Sequence, residues 1–332
     1  MSAVRKIVVF GSNSFSGSDF IDLLLQDPSN EVMGISRSAE KSPLFLPYLQ
    51  HSSPRFSFRQ LDLNRHQGEI ITLLDSFRPE YIVNFAAQSE VAPSWLYPEH
   101  WFQTNAVAMA ELVNRLKDRD YLTRFIQISS PEIYGSCSGV VTENAPYNPS
   151  TPYAASRAAT DMCLMAYLRQ FNFPVVLVRP TNFYGAHQQL FKIIPRAVIR
   201  IRNSQKIELH GGGAAVKSYI HIRDVSCGEL AAMLHGKPGD IFHLSPDEGI
   251  SIRELVSLIC REMGVEFADA VELAPERQGQ DAAYVIDSSR ARHILGWQPV
   301  ISLEHGIREV IAWIDANWET VSRLDHDYIH AP

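Results

Sequence analysis

Tyr153 and Arg157 stand four residues apart in Tyr153-Ala-Ala-Ser-Arg157, directly after Pro152. On a helix, residues four apart share a face, so the phenol lies beside the guanidinium. A fixed cation favours phenolate and draws the tyrosine pKa toward the working pH. Tyr153 is therefore expected to act as a base that removes a hydroxyl proton while a hydride departs. Ser130 closes an apolar run upstream and is expected to give the phenol a further hydrogen bond. Two residues on, Glu132 adds a carboxylate. A departing hydride needs an acceptor, and a second constellation offers a place for one. Gly11-Ser-Asn-Ser-Phe-Ser-Gly17 follows the β-branched run Ile7-Val-Val-Phe10 and precedes a segment with helical spacing. A dinucleotide site needs a tight turn there, with open backbone N–H groups and a helix N-terminus facing the pyrophosphate. Gly11, Asn13, Ser14, Phe15, Ser16 and Gly17 form the expected cradle, with Ser14 where a middle glycine would be expected.

The second apolar run ends Ile35-Ser36-Arg37-Ser38. NAD sites place a carboxylate there for the ribose 2′-hydroxyl, whereas NADP sites place a basic residue and small hydroxyls. Ser36, Arg37 and Ser38 favour NADP, with NAD as the alternative. Asp62 and its neighbour Leu63, after the third run, are expected at the adenine; a turn cap is an equal reading of Asp62.

Alternating strands and helices must position these groups. Strands are expected at 7–10, 31–35, 56–63, 81–86, 125–129 and 175–179, and helices at 19–26, 70–77, 100–116 and 152–171. Each crossover is long enough for a helix, which predicts an α/β chain with a doubly wound parallel sheet. Beyond Pro180, Pro and Gly punctuate shorter elements, and amphipathic helices are legible near 191–203, 251–263 and 303–317. This half reads as a smaller α/β cap, and the tail from Arg323 to Pro332 is expected to fray.

Eight motifs now stand in order along the chain. They are Gly11…Gly17, Asn84-Phe-Ala-Ala-Gln88, Thr104-Asn105, Ser129-Ser-Pro-Glu-Ile-Tyr-Gly135, Tyr153-x-x-x-Arg157, Arg179-Pro-Thr-Asn-Phe-Tyr-Gly185, Tyr219-Ile-His-Ile-Arg-Asp224 and Leu295-Gly-Trp297-x-Pro299. Together they resemble the extended short-chain dehydrogenase/reductase family, in its group of nucleotide-sugar 4,6-dehydratases and epimerases. The resemblance implies a Rossmann domain over 1–180 and a nucleotide-sugar domain mainly over 181–322, with segments near 217–228 and 281–290 returning to the first and 323–332 left as a tail. It implies that Tyr153 is the catalytic base for oxidation at sugar C4, that Ser130 and Arg157 assist, and that Asn105 is the family's structural asparagine. Ala86, Ala87 and Gln88 would line the phosphate and ribose side of a tightly bound, recycled cofactor.

Dehydratases of the family carry a glutamate at the position of Glu132, and most epimerases a small residue. Oxidation at C4 acidifies the C5 proton, the carboxylate removes it, and the C6 hydroxyl leaves as water. Arg157 departs from the family's lysine, keeping charge but not shape. Pro131 stands where deoxythymidine-type dehydratases place an aspartic acid, which leans toward GDP-mannose 4,6-dehydratases. A nucleoside diphosphate suits forked arginine contacts. The resemblance assigns that work to Arg277, with Lys217, Asn182, Lys192 and Arg196 also facing the substrate. A C4 epimerase, a dehydratase of other regiochemistry and an impaired cofactor-binding paralogue are the alternatives. Relatives pair through two helices per subunit, which here implies a homodimer using 100–117 and 153–170.

Composition narrows the rest. The net charge of -7 over 332 residues argues against a broad nucleic-acid or anionic-membrane footprint. No apolar run approaches the roughly 20 residues of a membrane span. Cys137, Cys163, Cys227 and Cys260 lie far apart without a CxxC pair, which fits reduced cytoplasmic thiols. The 12 histidines form no HExxH array, so no metal is expected, and His210 and His221 read as loop and core residues.

Overall fold

Ile7, Val8, Val9 and Phe10 are all buried, because layers of helix cover both faces of their strand. Side chains alternate along a strand, so Ile7 and Val9 join one core and Val8 and Phe10 another. The computed structural model describes residues 4–50, 53–136, 139–275 and 285–331. Its first strands are β1 (Arg5–Phe10), β2 (Asn30–Ser36), β3 (Phe56–Gln60), β4 (Tyr81–Asn84) and β5 (Arg124–Ile128). With Val175–Pro180 and Ile241–Leu244 they form one sheet of seven strands. Its order is Ile241–Leu244, Val175–Pro180, β5, β4, β1, β2, β3, and all pairs are parallel. The chain is therefore an α/β fold with a doubly wound sheet. Strand order reverses between β1 and β4, and a crevice opens outside the strand ends at such a reversal.

The seventh strand comes from beyond residue 180, as does the helix Ile222–His235, which packs on helix α1 (Phe15–Leu25). Sequence periodicity passes over this helix because its polar residues Asp224, Ser226 and Glu229 are buried, leaving no solvent stripe. Two of the motifs hold it in place. The Trp297 indole donates to the Asp224 carbonyl at 2.8 Å, and an Asp224 carboxylate oxygen accepts from the N–H groups of Val300 and Ile301. A third core gathers the helices Ile193–Arg202, Ile252–Glu262 and Leu303–Ala316 around Val198, Leu255, Ile307 and Trp313.

The expected helix over 100–116 is interrupted. Pro98–Trp101 and Ala108–Leu116 are α-helical, but Phe102–Val107 between them widens into a π-helical turn. Such turns re-aim side chains and recur at functional sites; this one carries Asn105. Residues 326–331 of the tail fold back onto the body of the molecule, with the His330 ring stacked on Trp101 at 5.1 Å. Among the described residues, no helix is long and apolar enough to cross a membrane. No group of three or more His, Cys, Asp or Glu side chains there could hold a metal ion.

Candidate active site

The turn after β1 is forced to be glycine at both ends. Gly11 has φ +77°, and a Cβ there would lie 2.7 Å from the Ala86 nitrogen, at the end of the neighbouring β4. A Cβ on Gly17 would lie 2.4 Å from the Gly11 carbonyl oxygen. Ser14 replaces the middle glycine by acting as N-cap of α1, its hydroxyl accepting from the Gly17 N–H at 3.0 Å. The N–H groups of Phe15 and Ser16 then point out of the open helix end. Asn13 donates through Nδ2 to the carbonyls of Ser38 and Ala39, while its buried Oδ1 has no hydrogen-bond partner among the described residues. An open helix N-terminus at the strand reversal fits the phosphates of a dinucleotide, and the orphaned Asn13 Oδ1, an acceptor, fits a ribose hydroxyl rather than a phosphate.

Other expected cofactor residues divide. The hydroxyls of Ser36 and Ser38 are committed to the turn, Ser36 accepting from the Asn13 N–H at 3.0 Å and Ser38 from Asn13 Nδ2 at 3.2 Å. Asp62 caps its own loop, accepting from the Asn64 N–H at 2.8 Å, so the turn-cap reading holds for its side chain. Leu63 is buried in the core with Val8 and Phe10, which leaves only its backbone to face a ligand. Asn105 binds the Gln88 backbone twice, accepting from its N–H at 2.8 Å and donating to its carbonyl at 3.0 Å. It also donates to the Ser156 hydroxyl at 2.9 Å, tying the loop of Ala86, Ala87 and Gln88 to the helix Pro152–Phe171.

That helix begins where the sequence places it. The Thr151 hydroxyl caps it by accepting from the Ala154 N–H, and Pro152 occupies the first turn. The Tyr153 N–H donates to the Ser94 hydroxyl at 3.2 Å, which fixes the first turn of this helix against the segment Val91–Ser94. The Tyr153 side chain is buried and hydrogen-bonded by Ser130, with Arg157, Glu132 and Glu90 all near enough to bias its charge. Ser130, Glu132, Tyr153 and Arg157 thus converge. Here the expectation about Arg157 needs correction. Burial outweighs the guanidinium, and with Glu132 and Glu90 adding negative charge the phenol sits above its ordinary value rather than below it. Arg157 is itself buried and donates to the Ile128 carbonyl at the end of β5.

The row continues one turn further than the sequence reading took it. Asp161, four residues after Arg157, accepts from the Ser129 hydroxyl at 2.7 Å and from Arg179 Nη2 at 2.9 Å, with both charged side chains essentially fully buried. Arg179 also donates to the hydroxyls of Tyr134 and Tyr147, and the Tyr134 hydroxyl meets His243 Nε2 at 2.8 Å. Tyr134 ends the short turn Pro131–Tyr134, so this network clamps the turn that carries Glu132. Losing one partner of such a buried pair costs about 3–5 kcal/mol.

Of the residues expected at the substrate, Lys192 is paired with Glu90 at 2.6 Å and Arg196 with Asp327 at 3.2 Å. Asn182 Nδ2 donates to the Ser218 carbonyl at 3.3 Å, which brings it beside Lys217. Arg277 lies outside the described residues, as does Cys137. Glu90 was missed by the sequence reading; its signal is a charge two residues past Gln88, in a loop already marked for the cofactor.

The family model described as GDP-mannose 4,6 dehydratase matches residues 8–310. A dTDP-glucose 4,6-dehydratase from Neisseria meningitidis serogroup B is 26% identical over 342 residues, covering 96% of each chain. The solved dTDP-glucose 4,6-dehydratase of Streptomyces venezuelae, with NAD bound, superposes with a TM-score of 0.88 at 28% identity, over 95% of this chain and 98% of that one. A UDP-glucuronic acid 4-epimerase from Bacillus cereus superposes with a TM-score of 0.86 over 94% of this chain and 99% of that one; at 24% identity it speaks for the fold alone. With a match that runs from β1 into the helix Leu303–Ala316, the chain belongs to the GDP-mannose 4,6 dehydratase family, within the extended short-chain dehydrogenases/reductases.

Proposed function

We propose that the protein is a nucleotide-sugar 4,6-dehydratase. The observation that carries the reading is the convergence of Glu132 with Ser130, Tyr153 and Arg157. A C4 epimerase needs the tyrosine and its helpers but has no use for a carboxylate at that point. In the proposed reaction Tyr153 takes the C4 hydroxyl proton, helped by the Ser130 hydrogen bond and the Arg157 charge. Glu132 then takes the C5 proton, which the new C4 carbonyl has acidified, and the C6 hydroxyl leaves with a proton as water. A nicotinamide dinucleotide held by the turn Gly11–Gly17 and the loop Ala86–Gln88 would supply the acceptor for the C4 hydride and the donor for its return to C6. Tyr153 and Glu132 give back the two protons they took, one leaving in the water and one arriving at C5, so acid and base balance over the cycle and the product is a 4-keto-6-deoxy sugar nucleotide.

The turn Gly11–Gly17, the loop Ala86–Gln88 and Arg37 hold the dinucleotide in this reading. Arg37, with no carboxylate at the end of β2, favours NADP over NAD. Asn182, Lys192, Arg196, Lys217 and Arg277 hold the diphosphate and sugar, Lys192 and Arg196 by exchanging their carboxylate partners for phosphate oxygens. We place the enzyme in the cytoplasm, on the spacing of its cysteines. We also propose a homodimer. Its support is the exposed apolar side chains of Phe102, Val107 and Met162 on the two helical stretches that relatives use, with Trp95 and Leu96 exposed just ahead of the first.

The test is direct. Denaturing the purified protein and identifying released cofactor by mass spectrometry settles the dinucleotide. Incubation with GDP-mannose, dTDP-glucose and UDP-glucose should yield, from one of them, a 4-keto product lighter by one water, with its new methyl group visible by NMR. Epimers alone would contradict the dehydratase reading, and a 5,6-alkene would contradict its regiochemistry.

A further inference from the structure

Residues 326–331 run across the mouth of the proposed cofactor groove and are held at both ends. On the substrate side, Asp327 pairs with Arg196 at 3.2 Å, and the Tyr328 ring meets Phe191 edge-on at 5.2 Å. In the middle, the His330 ring stacks within 15° of Tyr97, His100 and Trp101, with centroids 5.1–5.2 Å away, and His330 Nε2 meets His100 Nδ1 at 2.9 Å. On the cofactor side, one backbone oxygen receives two donors. The Ala331 carbonyl accepts from Arg37 Nη2 at 2.9 Å and from Gln88 Nε2 at 2.8 Å. Arg37 follows β2 and Gln88 follows β4, so the two donors come from opposite sides of β1. Their meeting on a single acceptor means that the segment bridges the strand-order reversal, where a dinucleotide would lie.

We propose that residues 326–331 form an intramolecular strap that occupies Arg37 and Gln88 in the free enzyme and must lift before a nicotinamide dinucleotide can bind. The proposal rests on the reading of Arg37 and Gln88 as cofactor ligands. The chemistry is an exchange of like for like. A carbonyl oxygen presents the same lone pairs to a guanidinium and a carboxamide as a phosphate or ribose oxygen does. A phosphate carries full charge, however, and makes the stronger bond to Arg37. The strap holds the groove closed by many weak contacts, four stacked rings among them, and yields to a ligand that offers charge. Exchange of that kind slows entry of the dinucleotide, which a cofactor regenerated within each cycle needs to make only rarely. Competition also taxes affinity: a strap docked nine times in ten weakens the apparent Kd about tenfold.

The experiment compares full-length wild type with His330→Ala, which removes one ring from the stack, and with a chain ending at Asp325. Cofactor-stripped protein is mixed with NAD or NADP in a stopped-flow instrument, and nicotinamide binding is followed by fluorescence. We expect association to be faster and the apparent Kd tighter in both variants, by about tenfold in the shortened chain and less in His330→Ala. Equal rates and affinities in all three proteins would overturn the strap while leaving the cofactor site in place. Weaker binding by the variants would also overturn it, because the segment would then be a lid on bound cofactor. Failure of every form to bind either dinucleotide would overturn both the strap and the cofactor reading beneath it.

Discussion

At Tyr153 two forces oppose each other, and in the proposed reaction their balance sets the working pH. Burial and the carboxylates of Glu132 and Glu90 hold the phenol protonated, while Arg157 and the Ser130 hydroxyl favour its loss of a proton. Arg157 is the only fixed cation among those influences. Arg157→Met should therefore push the phenol higher still and reduce kcat by about 10²-fold or more, with the acidic limb of the kcat profile, where the base is lost to protonation, shifting upward. Arg157→Lys keeps the charge and should stay within about tenfold of wild type, the loss reflecting the bond to the Ile128 carbonyl. Steady-state profiles of the two variants check this. Equal losses in both would mean that shape, not charge, is what the site needs from this residue.

At the scale of elements, what was legible in the sequence is what burial makes periodic. β1 announces itself because both its faces are covered, and the helix Pro152–Phe171 because Thr151 and Pro152 mark its start. The pair Tyr153 and Arg157 is legible for the same reason, since helical spacing alone puts the two on one face. Elements governed by partners far away in the chain were not. The helix Ile222–His235 hides its polar residues, so no amphipathic stripe betrays it. Helical spacing cannot register the extra residue of the π-helical turn Phe102–Val107, yet that turn aims Asn105 at Gln88 and Ser156. Nor does local composition disclose that Arg196 and Lys192 begin paired to carboxylates, or that Ala331 reaches Arg37 across 294 positions of sequence.

Over the whole molecule, buried titratable groups give the fold a pH window. His243 accepts the Tyr134 hydroxyl deep in the core, and its pKa is held down at about 3 by burial and by Arg179. An unfolded chain protonates this imidazole near 6.5 and the fold does not, so stability declines as pH falls from about 6.5 toward 3. Glu229 has the opposite sign. It is fully buried, neither carboxylate oxygen has a hydrogen-bond partner among the described residues, and burial together with Asp19 raises its pKa well above 4.5. The unfolded chain releases that proton first, so Glu229 costs stability increasingly as pH rises above 4.5. Glu229→Gln should raise Tm at pH 8, by an amount that shrinks toward pH 5, as calorimetry across that range would show. A Tm gain that is the same at pH 5 and pH 8 would mean that Glu229 does not carry the linkage.

If Tyr153 and Glu132 serve successive steps on one sugar, a single-turnover experiment with Glu132→Gln separates the two. The variant, loaded with cofactor and mixed with the substrate that wild type accepts, should still reduce the nicotinamide as C4 is oxidised, while loss of water falls by at least about 10²-fold. Reduced cofactor should then accumulate, read by its absorbance, alongside an undehydrated 4-keto sugar. Water loss at the wild-type rate would show that another group takes the C5 proton, and the account built on Glu132 would be wrong.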